Sequence, residues 1–297
     1  MPNEPFRDQE TGGGHKSGGS IKIMASISTK SILGAAVAAL SLAAVAAPAS
    51  AGDLFGRRDG GSVKDAPAEE PKRLCSFSMN AGGTSDYVFR GISQSWEDPA
   101  AQGGVDATCG MFYAGVWGSK VDFVRPNHSY DDGDANLEID LYAGIKPTWG
   151  PLTFDLGVIY YMYPGGDDLP GAELDYVELK GGVSGTWNNF ALGGTLFWSP
   201  EYTGETGNTL TLEGTAGYTF KAIGPVTPTV SALIGTVQFL DSNFDNLDYV
   251  YWNAGLALAI DKFTLDFRYW GTDNDGICDG WNLCDDRFVF SAKVTLP

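Results

Sequence analysis

The stretch ANLEIDLYAGIKPTWGPLTFDLGVIYYMY, residues 135–163, decides the fold. Apolar and polar side chains alternate from Leu137 to Ile145, and the alternation resumes at Leu152 after the dipeptide Gly150-Pro151. A period of two indicates β-strands, and Gly-Pro between two such runs indicates a turn. One face of each strand is apolar and the other is charged. This pattern fits either a soluble sandwich or a membrane barrel with lipid outside and a polar lumen inside.

The connections between strands favour the barrel. Tight turns at 109–111, 149–151, 188–189, 222–225 and 261–262 alternate with longer, acidic loops at 124–134, 164–172, 203–207, 241–247 and 274–285. An outer-membrane barrel has short periplasmic turns and longer outside loops, whereas a sandwich has no reason to sort its connections by length. The predicted strands are 76–95, 101–108, 112–123, 135–148, 152–163, 173–187, 190–202, 208–221, 226–240, 248–260, 263–273 and 286–296. We therefore predict an all-β fold, a transmembrane antiparallel up-and-down β-barrel of about 12 strands, over residues 74–297.

Large aromatic side chains near the predicted strand ends suit the girdles that mark membrane interfaces. The alternative is that they are ordinary packing residues. These aromatic residues are Trp117, Phe123, Tyr142, Trp149, Tyr160, Trp187, Trp198 and Tyr269.

The segment before the barrel has the composition of an export signal. Residues 24–51 combine a basic start, an apolar Ala-rich run and the sequence Ala49-Ser50-Ala51, which is typical of a cleavage site. Residues 1–23 are polar and Gly-rich, and we interpret them as a gene-model extension or a tag. Residues 52–73 are charged with little apolar content, so we expect a disordered periplasmic leader.

Five blocks in order resemble a known family. SDYVFRGISQS (residues 85–95), PAAQGGVD (99–106), GMFYAGVWGSKVDF (110–123), LEIDLYAGIKP (137–147) and GVIYYMYPG (157–165) are similar to the signature blocks of the TorF-type porins of proteobacteria. The resemblance is dense over residues 80–165 and thinner afterwards. It implies an outer-membrane location and a channel role, but no transported solute. The cysteines at Cys109, Cys278 and Cys284 depart from the commonest pattern of that family.

The polar face of the strands carries charges of both signs, and we expect these residues to line the lumen. Rings of charge in a barrel narrower than a 16–18-stranded porin would filter ions, whereas internal salt bridges would plug it. Arg90 is accordingly either a pore-lining cation or a satisfied internal ion pair. The predicted pore-lining residues are Asp86, Arg90, Lys120, Asp122, Glu138, Asp140, Lys146, Asp155, Glu178, Lys180, Glu213, Asp266 and Arg268, with Asp106, Arg287 and Lys293 as further candidates.

Composition and motifs exclude other classes of function. The chain has a net charge of -18, which argues against nucleic acid as a partner because the phosphate backbone demands a basic surface. The mature chain has one histidine, His128, beside Ser129; adjacent strand residues point to opposite faces, so the pair does not fit a hydrolase site. No metal-ligand cluster or cofactor motif is present, and the run starting at Asp273 lacks the bidentate Glu of a calcium loop.

Four cysteines in an exported protein suggest disulfides. The short spacing makes Cys278–Cys284 the first choice, as a staple in the last outside loop. Cys75 and Cys109 then remain, both near the periplasmic rim, although their strands need not bring them together.

The sequence thus predicts a porin-like channel in the outer membrane for small polar solutes or ions, with a modest cation preference from its excess of acids. Expected partners are membrane lipid, lipopolysaccharide and the barrel assembly machinery, with acidic loops sharing divalent cations with lipopolysaccharide phosphates. The alternative is a non-conducting barrel with a structural or adhesive role.

Overall fold

The computed structural model describes residues 75–123, 135–166, 173–273, 278 and 282–297. The predicted extension, signal and leader over residues 1–73 lie outside these residues. So do His128, the acidic loop 124–134, and most of the acidic loops 164–172 and 274–285. No helix in the described ranges is long and apolar enough to cross a membrane.

Twelve long strands form one closed antiparallel barrel, which confirms the predicted fold class. Each strand pairs with its neighbours in the chain, and β12 pairs with β1 to close the barrel, with Thr84 opposite Ser291. The strands are β1 (Cys75–Thr84), β2 (Ala100–Cys109), β3 (Phe112–Lys120), β4 (Leu137–Ile145), β5 (Leu152–Met162), β6 (Tyr176–Trp187), β7 (Phe190–Ser199), β8 (Thr209–Thr219), β9 (Val226–Phe239), β10 (Tyr249–Ile260), β11 (Phe263–Thr272) and β12 (Arg287–Leu296).

The two ends of the barrel differ in their connections. The turn side carries the connections 110–111, 146–151, 188–189, 220–225 and 261–262, together with both ends of the barrel sequence. The loop side carries the longer connections 85–99, 121–136, 163–175, 200–208, 240–248 and 273–286. Gly110 and Gly150 adopt φ values of 63° and 60° in two of the tight turns, a region that glycine enters without steric penalty. The predicted sorting of connections by length is confirmed.

The first predicted strand is wrong beyond residue 84. β1 ends at Thr84, and residues 85–99 fold into the barrel as a segment that we call the lumen hairpin. Its two short strands, Val88–Phe89 and Ile92–Ser93, are joined by a turn in which Arg90 and Gly91 have φ values of 43° and 84°. A tight turn with positive φ at both central residues reverses the chain, and alternation alone does not reveal it.

The barrel is apolar outside and polar inside. Large apolar side chains on the outward parity are exposed, for example Phe77 at 67% and Leu256 at 37%. The inward parity holds buried charged and aromatic side chains. A water-soluble sandwich buries its apolar face, so this inverted distribution excludes the sandwich.

Parity also corrects the predicted aromatic girdles. Trp149, Trp187 and Tyr160 are exposed on the outer face, as expected for girdle residues. Trp117 and Tyr142 have the inward parity: Trp117 is buried, and the Tyr142 hydroxyl donates a hydrogen bond to Asp106. Both belong to the lumen, because position along a strand does not specify the face.

Candidate functional site

The lumen hairpin is anchored at its tip by a buried ion pair. The Arg90 guanidinium donates two hydrogen bonds to the Glu178 carboxylate on β6, at 2.9 and 3.0 Å. Both side chains are almost fully buried, and the guanidinium lies over the rings of Phe89 and Phe197, 4.6 and 5.1 Å from their centroids. Bidentate geometry combined with stacking is the arrangement for which arginine is suited and lysine is not.

The position of the hairpin tip depends on a glycine, Gly91. A Cβ on Gly91 would lie 2.9 Å from the Tyr251 Cβ on β10, so the hairpin tip touches the opposite wall where only glycine fits. The hairpin therefore crosses the lumen and contacts β6 on one side and β10 on the other.

Further bonds hold the base of the hairpin at the barrel wall. Arg287 on β12 pairs with Asp86 at 2.8 Å, and Ser93 and Ser95 donate hydrogen bonds to the same carboxylate. The Tyr87 hydroxyl donates to Glu138 on β4 at 3.0 Å. Because these bonds come from separate elements, the hairpin is a fixed part of the lumen in this structure.

Burial sets the ionisation of the groups around the hairpin. Burial alone lowers the pKa of Arg90, but Glu178 together with the nearby Tyr202 and Tyr251 outweighs it, so the Arg90 pKa is raised and the guanidinium stays charged. Burial raises the pKa of Tyr202 to about 12 and also raises that of Tyr163. Both phenols therefore remain protonated at neutral pH and available as hydrogen-bond donors.

Two carboxylates of the inner wall have no counter-charge in contact. Glu138 and Asp140 lie two residues apart on β4, and both are fully buried. Glu138 accepts the bond from Tyr87, but neither acid forms an ion pair with a described basic residue. They lie side by side in the part of the wall that Tyr87 of the lumen hairpin contacts.

A second charged cluster lies toward the turn side. Asp155 on β5 accepts a hydrogen bond from the Tyr113 hydroxyl at 2.7 Å and pairs with Lys180 at 2.8 Å. Lys146 lies 3.8 Å from the same carboxylate and 4.5 Å from the centroid of the Tyr113 ring. The Tyr113 ring passes over Gly144, where a larger residue would collide with it. Glycines opposite tyrosines thus let aromatic rings lie flat along the wall.

A cavity of about 180 Å³ lies between the lumen hairpin and the wall formed by strands β1–β4, β11 and β12. Arg268 on this wall donates to Asp266, Asn253 and Ser231, so its guanidinium forms four hydrogen bonds within the protein. Aromatic rings of Trp117 and Trp270 line the same space. The lumen is therefore constricted by the hairpin without being completely filled.

The structure places most of the predicted pore-lining residues on the inner face. Asp86 and Arg90 are also inside, but on the lumen hairpin rather than on a strand. The residues on the inner face are Glu138, Asp140, Lys146, Asp155, Glu178, Lys180, Glu213, Asp266 and Arg268, with Asp106, Arg287 and Lys293.

Lys120 and Asp122 correct the prediction. Lys120 is exposed and shares the outward parity of Phe112 and Val116, and Asp122 lies past the end of β3. The alternation was assigned one residue out of step there, because small residues blur the polarity of this strand.

Sequence reasoning missed the buried tyrosines of the lumen. Tyr161 donates to Glu178, and its ring lies 4.4 Å from that of Tyr176, which in turn contacts Tyr202 at 4.8 Å. Tyr251 donates to Glu213 on β8. Their inward position in the strand alternation was a signal that these tyrosines face the lumen. Their aromatic character alone suggested instead that they face lipid.

Cysteines close two loops. Cys75 and Cys109 are directly opposite each other on β1 and β2 and form a disulfide with Cα atoms 4.2 Å apart. Cys278 and Cys284 form the second disulfide on the loop side. The register of β1 and β2 brings Cys75 and Cys109 together, a pairing that the sequence alone had left open.

The solved structures that are similar to this barrel share little sequence with it. A structure described as the KdgM porin has a TM-score of 0.47 at 6% identity, covering 74% of this chain and 98% of that chain. The NanC porin has a TM-score of 0.44 at 9% identity (75% and 100% covered), and LpxR from Salmonella typhimurium 0.43 at 11% identity (74% and 99% covered). All three TM-scores are below 0.5.

No curated protein matches the chain. A family model described as a bacterial protein of unknown function (Gcw_chp) matches residues 68–295, which include all of the barrel except the last residue of β12. The chain belongs to this bacterial family, Gcw_chp.

Proposed function

We propose that this barrel spans the outer membrane and works as a narrow passive channel for small polar solutes or ions. The observation that carries the proposal is the inverted polarity of the wall. Exposed apolar side chains surround the outside, and buried charged residues fill the inside. Lipid outside and polar solute inside are the two environments that satisfy such a wall.

The lumen hairpin sets the size of the solute. It crosses the barrel between Glu178 and Tyr251 and leaves the cavity of about 180 Å³ beside it. A passage of this width suits small solutes rather than folded or polymeric ones. No step in this role needs a cofactor, metal or catalytic residue, and we propose that the protein is not an enzyme.

The proposal includes the cellular setting. Residues 24–51 would act as a signal peptide of a Gram-negative bacterium, and the segment 52–73 as a leader in the periplasm. The barrel assembly machinery would insert the chain, and lipid and lipopolysaccharide would surround it. The resemblance to TorF-type porins supports this setting on the five blocks over residues 85–165.

A modest cation preference is part of the proposal. We assign this preference to three inward acids: Glu138 and Asp140, which form no ion pair with a described base, and Asp155, which is paired with Lys180. Acids on the lumen side attract cations into a pore. Replacing three inward acids by their amides should move the reversal potential in a salt gradient toward zero, and less so at high salt because of screening. An unchanged reversal potential in a conducting triple variant would contradict this role. The variant is Glu138→Gln, Asp140→Asn and Asp155→Asn.

Single-channel recording on the refolded mature protein in planar bilayers tests the channel itself. We expect small, discrete conductance steps that are absent from mock-refolded samples. The second candidate is a non-conducting structural barrel, which the buried Arg90–Glu178 pair across the lumen favours. A folded wild-type barrel without any conductance would reject the channel and leave that candidate.

A further inference from the structure

The cavity beside the lumen hairpin contains one basic and one acidic side chain that lack ionic partners. Asp86 is paired with Arg287, and Asp266 is paired with Arg268. Lys293 on β12 forms no ion pair or hydrogen bond with its side chain to any described residue. Asp106 on β2 accepts only the Tyr142 hydroxyl. Lys293 and Asp106 are therefore the two charged residues of the cavity lining that form no ion pair in contact with a described residue.

Lys293 and Asp106 lie on the two strands that flank β1. Lys293 is opposite Gly82 and Asp106 is opposite Ser78 on β1. Their backbones are therefore separated by two strand spacings across the sheet and by four residues along it, roughly 16 Å in all. Both side chains line the cavity. The acids that act electrostatically on Lys293 are first Asp266, which is already paired with Arg268, and then Asp106. A direct ion pair is absent, and the gap between the two charges is open to the cavity.

We infer that this cavity binds a small zwitterionic solute of the amino-acid type. Its carboxylate would bind the Lys293 ammonium and its ammonium would bind the Asp106 carboxylate. Trp117 and Tyr142 would contact the carbon chain and the cationic end, since aromatic faces attract cations. The inference rests on the proposed function, because solute reaches the cavity through the lumen.

The charges favour this class over simpler ions. A free anion would be attracted by Lys293 but repelled by the Asp106 carboxylate. A free cation would be attracted by Asp106 but repelled by Lys293. A neutral solute would leave both charged groups without a partner after displacing their water, which is unfavourable in a partly dry site. Only a solute with both charges satisfies both groups.

Binding to the detergent-solubilised full barrel tests the inference by saturation-transfer NMR. The probes are 4-aminobutanoate and three matched molecules of the same chain length: butylammonium, butanoate and butanamide. We expect 4-aminobutanoate to bind at least about tenfold more tightly than each of the others, the factor that corresponds to about 1.4 kcal/mol. Equal binding of all four, or preference for a singly charged or neutral probe, would overturn the inference.

Variants assign the binding to the two side chains. Lys293→Met and Asp106→Asn should each remove the preference for the zwitterion. Lys146→Met and Asp155→Asn are matched controls, because Asp155 also accepts a tyrosine hydroxyl on the inner face but lies outside the cavity. The controls should keep the preference. If all four variants behave alike while far-UV circular dichroism shows a folded barrel, the cavity is not the site.

This measurement is separate from conductance. A barrel that conducts but binds no probe keeps the channel and rejects the zwitterion site. A barrel that binds the probe without conducting rejects the channel instead.

Discussion

The ion pair at the tip of the lumen hairpin gives the most quantitative prediction. Replacing Arg90 by Met leaves the Glu178 carboxylate buried, with only the Tyr161 hydroxyl still donating to it. Removing one partner of a buried pair is destabilising by about 3–5 kcal/mol, chiefly because the other charge loses its compensation. Both side chains are almost fully buried, so solvent does not screen this effect. Glu178→Met should have an effect of similar size, since it leaves the buried Arg90 guanidinium without its counter-charge.

The double variant distinguishes this explanation from general disruption. Arg90→Met combined with Glu178→Met removes both charges, so we expect it to be less destabilised than the sum of the single variants by at least about 2 kcal/mol. The pair Lys146–Asp155 is the control. Lys146 is 45% exposed and 3.8 Å from its partner, and we expect a coupling below about 1 kcal/mol there.

Equilibrium unfolding in urea of barrels folded into lipid vesicles measures these free energies, with tryptophan fluorescence as the signal. The Arg90→Met barrel should also conduct more than the wild type, because its hairpin has lost the anchor on β6. Additive single effects in the cycle would refute the buried-pair reasoning. A strong coupling at the control pair would show that exposure does not decide the outcome.

Three further predictions test the wall, its covalent staples and its orientation. Leu256→Arg on the outer face should destabilise the barrel by about 2–4 kcal/mol in vesicles, and Ser184→Arg on the inner face should do so much less; equal effects would contradict the register. Loss of the Cys75–Cys109 disulfide should lower stability by about 3–4 kcal/mol and loss of Cys278–Cys284 by about 2, since the first closes the longer loop; urea midpoints of the paired Ser variants measure this, and the reverse order would reject it. An epitope tag after Ser242 should bind antibody on intact cells, whereas a tag after Asn188 should do so only after permeabilisation; the opposite pattern would invert the orientation.

Alternation along each strand was enough to predict the barrel and most of its inner face. From Leu137 to Ile145 every second residue is apolar, and the structure turns these outward and Glu138 and Asp140 inward. A closed sheet has only two faces, so once the period is two, a single residue fixes the side of all others on that strand. Where small residues blur the pattern, as around Lys120, the side was assigned wrongly.

The lumen hairpin was decided by tertiary structure alone. The block from Ser85 to Ser95 reads as a strand, yet it leaves the wall at Thr84 because the turn at Arg90 and Gly91 brings a guanidinium to Glu178. These two residues are 88 positions apart in the chain. No local pattern records such a distance.

The same holds for the disulfide between Cys75 and Cys109 and for the unpaired charges of the cavity. Composition gives the number of cysteines and the number and sign of the charged residues. Which of them meet depends on strand register and on the closure of β12 onto β1, and these are properties of the whole barrel. The sequence by itself therefore determined the wall, and the tertiary structure decided what the wall encloses.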